Sequence, residues 1–234
     1  KRQMESLALG EGDAITVYKA NMIIPQIADN LTRSGKIRIP SECPVCGGEL
    51  HEGEGAFCMM CRTLAPQTGF WRRADNPLAE RLRNEFPIVQ ASAFLWFVAG
   101  SPWQRAIHGF KYYNRWRTAR DLGAWYGGNL ADSGLYGSVD CIVPVPLHTR
   151  RLLARGYNQA AYIAEGIASR MGVPVEDRAV RRLRNNPSQT TRSSAGRWEN
   201  VRDLFAVARP GALAGRHVLL VDDVVTTGST LLSC

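Results

Sequence analysis

Two stretches of this sequence combine residue types that can do chemistry. The first is the apolar run Val218-Leu219-Leu220-Val221, followed by Asp222-Asp223, Val224-Val225 and Thr226-Thr227-Gly228-Ser229-Thr230. A short buried strand would carry two adjacent carboxylates to the carboxyl end of a sheet, where open α/β sheets bind their ligands. The small-residue loop after them gathers backbone N–H groups and hydroxyls at a helix start, which suits an anion. A phosphate fits the loop, and the carboxylates fit the vicinal hydroxyls of an attached sugar. Neither GxxxxGK[ST] nor GxGxxG occurs, so a Walker-type triphosphate site and a dinucleotide fold are not expected.

The second stretch is Cys43-Pro44-Val45-Cys46, eleven residues, then Cys58-Met59-Met60-Cys61. Each pair can grip a tetrahedral Zn²⁺ from a tight turn, and four thiolates close the coordination sphere, the structural rather than catalytic pattern. Reduced thiols or a redox pair are the other readings. His51 is a weak substitute ligand, Cys141 reads as core and Cys234 is uninformative. Between these stretches lie Val143-Pro144-Val145-Pro146-Leu147-His148-Thr149-Arg150-Arg151 and Arg155-Gly156-Tyr157-Asn158-Gln159. A strand ends in a Pro-restricted turn, and Arg-rich sequence leads into a helix start. Arg150, Arg151 and Arg155 either meet an anion there or merely flank a helix. His148 reads as an ordinary turn residue.

The elements that must position these groups follow from periodicity. Met22-Ile23-Ile24 is a short apolar patch, Ile27 to Leu31 suggests a helix, and residues 1–40 carry no motif. Residues 62–86 read as loop, with a short helix from Leu78 to Phe86. Alternation of Ala91, Ala93, Leu95 and Phe97 predicts a strand from Ile88. Ser101-Pro102 opens a helix to about Phe110. A second helix spans Ala119 to Leu130 and ends at Asp132-Ser133-Gly134. Cys141–Val145 is a buried strand, Asn158 starts a helix whose inner side carries Ile163, Ala164 and Ile167, and Val173-Pro174-Val175 is extended. Residues 184–200 predict a long mobile loop. Strands alternating with helices indicate a mostly parallel α/β sheet. Because Cys234 lies about one turn into the last helix, the chain is expected to be C-terminally incomplete.

The 234 residues are 45% hydrophobic and 21% charged, which excludes wholesale disorder and collagen-like structure. No stretch of about 18 apolar residues predicts a membrane span, and no basic segment followed by an apolar one opens the chain. Two CxxC pairs without a secretion signal therefore predict a cytoplasmic metal site rather than a disulfide framework. The net charge of +8 is uneven: residues 1–110 are almost neutral, whereas residues 150–216 hold 13 arginines against 5 acids. Arg forks onto phosphate oxygens, so a phosphate-bearing partner is expected. Trp96, Trp103, Tyr112, Tyr113, Trp116, Trp125 and Tyr126 lie among Arg105, Lys111, Arg115, Arg117 and Arg120. Aromatics at helical spacing read mainly as core; exposed among cations, they are how single-stranded nucleic acid is held.

The segment 217–230 resembles the phosphoribosyl-pyrophosphate (PRPP) loop of type I phosphoribosyltransferases. The resemblance implies that Asp222 and Asp223 hold the ribose hydroxyls and help place the oxocarbenium-like ribose. It implies that Thr226, Thr227, Gly228, Ser229 and Thr230 bind the 5′-phosphate, with Mg²⁺ on the pyrophosphate. Together with the CxxC pairs, Phe110-Lys111-Tyr112, Pro144-Val145-Pro146, Arg155-Gly156-Tyr157-Asn158-Gln159, Gln189-Thr190, Arg197, Asn200-Val201 and Phe205, it resembles the ComF/GntX family over roughly residues 41–234. Two departures are Thr191-Arg192, where Gly- and Leu-like residues are expected, and the missing C-terminal helix and strand. The expected architecture is a type I phosphoribosyltransferase-like parallel sheet with a small N-terminal zinc-ribbon-like module. It is divided into 1–40 (unassigned), 41–65 (zinc ribbon) and 88–234 (transferase-like, incomplete). The expected function is transfer of ribose 5-phosphate from PRPP, with Arg150, Arg151 and Arg155 on pyrophosphate. The family's association with natural competence implies handling of imported single-stranded DNA, through Arg181, Arg182, Arg184 and Arg192, and contact with DNA-uptake proteins. The alternative is a non-catalytic PRPP- and DNA-binding accessory or regulatory protein.

Overall fold

The computed structural model describes residues 6–9, 13–20, 24–33, 41–112, 115–184 and 204–234. The chain divides into two compact units, residues 1–62 and 63–234.

In the first unit, strands β1 (Ile15–Ala20) and β2 (Ile24–Asn30) pair antiparallel, with a bulge between Thr16 and Val17. The helix expected over Ile27–Leu31 is therefore a strand. A five-residue helix is too short to hold itself, and pairing with β1 satisfies the backbone instead. Asn30 closes the hairpin. Fully buried, its amide donates to the carbonyls of Leu7 and Ala8, each at 3.0 Å, and to the Asp13 carboxylate at 2.7 Å. The first CxxC pair then sits on a tight turn. The amide of Gly47 donates to Cys43 O at 2.8 Å, and that of Cys43 to Gly48 O at 2.7 Å. Gly47 has φ +79°, a conformation suited to glycine. Helix α1 (Met59–Thr63) begins within the second pair.

In the second unit, β3 (Cys141–Pro144) and β6 (Val218–Val221) run parallel, with Cys141 opposite Val218 and Pro144 opposite Val221. Val175 bridges Ile142 on the other side of β3. Strands β4 (Val180–Arg182) and β5 (Phe205–Val207) pair antiparallel. The helices are α2 (Pro77–Arg83), α3 (Pro102–Tyr112), α4 (Trp116–Asp132), α5 (Thr149–Arg155), α6 (Gln159–Met171) and α7 (Ser229–Ser233). Two of them start on caps read from sequence. Ser101 Oγ accepts the amide of Gln104 at 3.1 Å, and Asn158 Oδ1 accepts that of Ala160 at 3.2 Å. Asn76 caps α2 in the same way. Helices α4 and α6 pack face to face, with Gly123 and Gly127 against Ile163 and Ile167, and Gly166 against Arg120. Parallel strands and helices together match the expected class.

Residues 88–97 do not form the expected strand. Apart from a single bridge between Leu95 and Gln67, this segment is extended chain whose polar groups are taken by loops. The amide of Thr68 donates to Phe94 O (3.0 Å), that of Trp96 to Pro66 O (2.8 Å), and the Asn76 side chain to Ala91 O (2.8 Å). The inward side chain is Phe94, of opposite parity to the alternation. It stacks on Tyr126 at 4.8 Å and meets Trp71 and Trp125 edge-on. Aromatic packing, rather than alternation, sets the register of this segment. Most of the clustered aromatics that the structure describes are packed, Trp103 deeply, while Trp96 remains 54% exposed. Tyr113 and the expected loop from 185 to 200 lie outside the described residues.

Candidate functional site

The β6 strand ends at buried Val221, and the amide of Val145 donates to Val221 O at 2.8 Å, so β3 extends beside it to the strand end. Asp222 and Asp223 follow, both half-buried. The Asp223 amide donates to Asp222 Oδ1 at 2.8 Å, which turns the chain out of the sheet direction. The loop then passes through buried Gly228 at φ +83° into α7. A Cβ on Gly228 would lie 2.8 Å from Leu82 Cδ2, the end of a side chain that can shift, so it is the left-handed conformation that favours glycine here. Thr226, Thr227 and Ser229 are exposed. Thr227 Oγ1 accepts from the Ser229 amide (3.4 Å) and lies 3.0 Å from the Ser229 hydroxyl. Hydroxyls, amides and two carboxylates thus share one strand end. Helix α2 supports it from outside: Arg81 Nη1 reaches Thr226 O at 3.5 Å, and Leu82 underlies Gly228. That support was invisible in the sequence, since no local pattern ties 81–82 to 226–228. Asp222 and Asp223 also line a cavity of about 1030 Å³ beside β6, whose wall includes Phe94, Trp96, Phe97 and Tyr126.

The upstream motif resolves into supports and cations. His148 caps α5, its Nδ1 accepting the amide of Arg150 at 3.2 Å, and Gly156 ends the helix at φ +80°. Arg150 is exposed and Arg151 half-buried on that helix. Arg155 bonds Gln159 Oε1 at 3.1 Å. Tyr157 and Gln159 both donate to Phe110 O, and Asn158 Nδ2 donates to Val145 O at 3.0 Å. Tyr157 and Gln159 thus tie the start of α6 to α3, and Asn158 ties it to the chain just past the β3 end. Among the arginines expected to meet nucleic acid, Arg181 and Arg182 sit on β4 rather than in a loop. Arg181 and Arg184 are exposed, Arg182 is half-buried, and Arg192 lies outside the described residues.

Cys43, Cys46, Cys58 and Cys61 converge, with their Sγ atoms all within 4.8 Å of one another. Cys46 and Cys58 Sγ are 3.8 Å apart. A tetrahedron with bonds of about 2.3 Å has edges of roughly 3.8 Å, so the cage fits Zn²⁺. Burial works against a thiolate at Cys43, but the amides of Cys46, Cys58 and Val45 hold its pKa down to about 7. Burial first, and then the neighbouring thiols, push Cys61 up. One thiolate among neighbours that resist ionisation is what a cation would complete.

Comparison with known proteins agrees with this architecture. The model of the phosphoribosyl transferase domain matches residues 158–234, from the α6 cap through the acidic pair and its loop. The DNA utilization protein YhgH of Escherichia coli strain K12 is 28% identical over 205 residues, 83% of this chain and 89% of that protein. Competence protein F of Haemophilus influenzae is 37% identical over 93 residues, 39% of this chain and 41% of that protein. The chain is thus similar to proteins named for DNA utilization and competence, in line with its resemblance to the ComF/GntX family. A further similarity is of a different kind. A DNA ligase of Lachnoclostridium phytofermentans is 76% identical over 67 residues, 26% of this chain but 10% of the ligase, and a Ruminiclostridium cellulolyticum DNA ligase is 60% identical over 60 residues. The chain thus spans only about a tenth of the ligases it matches. No solved structure matches. Among the described residues, no helix is long and apolar enough to cross a membrane.

Proposed function

We propose that this ComF/GntX-like protein binds PRPP at 222–230, transfers its ribose 5-phosphate to an acceptor, and supports the handling of single-stranded DNA in the cytoplasm. The observation that carries this reading is the pairing, at one carboxyl strand end, of Asp222-Asp223 with the Thr226–Thr230 loop around left-handed Gly228. The loop offers hydroxyls and amides to the 5′-phosphate. The carboxylates accept from the ribose 2′- and 3′-hydroxyls and stabilise positive charge developing at C1′. Arg150 and Arg151, on α5 beside β3, supply positive charge for the leaving diphosphate, and Arg155 braces Gln159. Mg²⁺, when bound, would neutralise diphosphate charge, and the carboxylate pair with diphosphate oxygens is a suitable hard-oxygen donor set. The cavity beside the acidic pair leaves room for an acceptor.

The DNA arm of the proposal rests on charge and on relatives named for competence and DNA utilization. The exposed Arg181 and Arg184, with Arg192, are the contacts proposed for single-stranded DNA. DNA-uptake proteins are then natural partners. We infer that the ligase-like stretch is the first unit, whose 62 residues are about the same share of the chain. Its 7 Lys/Arg against 8 Asp/Glu do not attract DNA by net charge, so a role there depends on shape and on the four-cysteine centre, for which we propose structural Zn²⁺. A non-catalytic accessory protein is the second reading, favoured by the concentration of arginine outside the acidic pair. The test is pyrophosphate release from PRPP with Mg²⁺, across a panel of bases and single-stranded DNA, alongside PRPP binding by calorimetry. Release supports transfer, binding without release supports the accessory reading, and neither refutes the site.

A further inference from the structure

A graded series of side chains runs from the interior of the second unit to its surface beside α3 and α4. Tyr157 is buried, donates to Phe110 O, and meets Tyr162 of α6 edge-on with ring centres 5.5 Å apart. Tyr162 is half-buried and lies 5.0 Å from half-buried Trp116 at the start of α4, with 30° between the rings. Arg117 ends the series. It is exposed, and its guanidinium carbon lies over the Trp116 ring, 4.6 Å from the centre. The buried tyrosine thus anchors a surface arginine through two rings, and the indole orients its guanidinium.

Two further arginines border it. Arg115 lays its stem along α3, where a Cβ on Gly109 would lie 3.1 Å from Arg115 Cδ. Arg105 stands one turn before Gly109 on the same face of α3. Both are exposed. Among the described residues, the guanidiniums of Arg105, Arg115 and Arg117 make no hydrogen bond and no ion pair. The first turn of α4 holds no acid. Asp121 and Glu165, one turn beyond Arg117 and Tyr162, are each engaged in interactions of their own. Packing between α4 and α6 accounts for the two tyrosines. It does not account for three exposed cations gathered beside them.

We propose that Arg117, seated on Trp116 and flanked by Arg105 and Arg115, is a stacking ledge for single-stranded DNA. A base lies on the guanidinium plane, and phosphates of the same strand meet the two flanking arginines. This rests on the DNA reading above and adds to it a surface on α3 and α4, separate from Arg181 and Arg184. An unpaired strand offers both a π-face and a row of phosphates, which are the two features this surface matches. A duplex keeps its base faces stacked within itself, and a small anion would use the charge but not the plane.

The test uses the full chain and titrates oligo(dT) and an abasic strand of equal length and equal phosphate number. Wild type should bind oligo(dT) about five- to hundredfold more tightly, the worth of one stacked base. Arg117→Ala should remove most of that advantage. Arg117→Lys keeps the charge without the plane, so it should remove the advantage while leaving the salt slope unchanged. Arg105→Ala combined with Arg115→Ala should keep the advantage and flatten the log–log salt slope by roughly one unit, at about 0.7 per phosphate. All three arginines are exposed, so no variant should shift the melting temperature, and Arg117→Lys keeps the test decisive where Ala disturbs folding. Equal wild-type affinity for the two strands, or an oligo(dT) advantage that survives both Arg117 variants, overturns the ledge and leaves the DNA reading to Arg181 and Arg184. Tighter binding of oligo(U) than of oligo(dT) overturns the commitment to DNA. A wild type that binds neither DNA strand at about 50 mM salt removes the DNA reading and the ledge with it.

Discussion

Gly166 is where the geometry of the second unit is tightest. A Cβ placed there would lie 2.0 Å from Arg120 O and 2.6 Å from the Ala124 amide nitrogen, both backbone atoms of α4. A carbon and an oxygen in contact need well over 3 Å, so α4 and α6 must part by about 1 Å or more in Gly166→Ala. Overpacking of this kind costs typically 1–3 kcal/mol, occasionally more. The helix-propensity gain of Ala over Gly, at most about 1 kcal/mol, offsets only part of it. A net loss of about 2 kcal/mol should lower the melting temperature by roughly 4–8 °C for a domain of this size. The effect should reach the site, because α6 starts at the Asn158 cap whose amide also holds Val145 O beside the end of β6. PRPP affinity should therefore fall with stability. Gly128→Ala is the control: it lies on the same α4, and its Cβ would meet nothing within 4 Å. That variant should melt at or above the wild-type temperature. Thermal unfolding by circular dichroism reads both. If Gly166→Ala melts no lower than wild type, or Gly128→Ala is as damaging, close helix approach does not position this site.

Purified protein should carry about one Zn²⁺ per chain by metal analysis, and Cys58→Ser should lose it and become less soluble, since metal binding is folding energy in such modules; metal-free protein prepared under reducing conditions without chelator contradicts this. Zinc affinity should rise with pH across roughly 6 to 8, because Cys43 sits near 7 and the raised Cys61 must shed its proton for the metal, so competition titrations with no pH slope would count against thiolate ligation. PRPP with Mg²⁺ should raise the melting temperature by mass action, and Asp222→Ala with Asp223→Ala should abolish that shift while the apo protein melts as before. Single-stranded DNA should bind with a log–log salt slope near −3 if about four phosphates are neutralised, and Arg184→Ala should flatten it by under one unit without altering PRPP affinity.

The parts of this protein that were legible beforehand are those whose cause is local. The Asn158 cap, the Ser101 cap and the paired CxxC spacing each reside within a few residues, and each stands in the structure at the place expected. The β6 strand was readable because four apolar residues in a row have few alternatives to a parallel sheet. Failures came where distant partners decide. The alternation at 91–97 pointed at Ala91, Ala93, Leu95 and Phe97. The rings of Trp71, Trp125 and Tyr126 instead drew Phe94 inward. Ile27–Leu31 favoured a helix until β1 offered a pairing edge. At the site, the carboxylates and the loop could be named, but Leu82 beneath Gly228 and Arg81 at Thr226 O could not, because each joins segments far apart in sequence.

The Arg155–Gln159 motif shows how a sequence signal can carry a scaffold role beside the chemistry it suggests. Arginine next to a helix start suggests an anion, yet four of the five residues are occupied with one another or with the scaffold. Arg155 holds Gln159, Tyr157 and Gln159 hold Phe110 O, and Asn158 holds both its own helix and Val145 O. A buried carbonyl left without its donors costs about 1–3 kcal/mol, so this motif is constrained by packing even if it never touches a ligand. It fixes the distance between the β3 end and α5, and hence where Arg150 and Arg151 stand relative to Asp222. Gln159→Leu should thus lower stability and loosen PRPP binding together, in proportion. Arg151→Gln, half-buried on α5, should loosen PRPP binding with the melting temperature of the apo protein little changed. Measuring both variants separates the residue that holds the site from the residue that meets the ligand, and a Gln159→Leu protein with full stability but lost PRPP affinity would place Gln159 in direct contact with ligand after all.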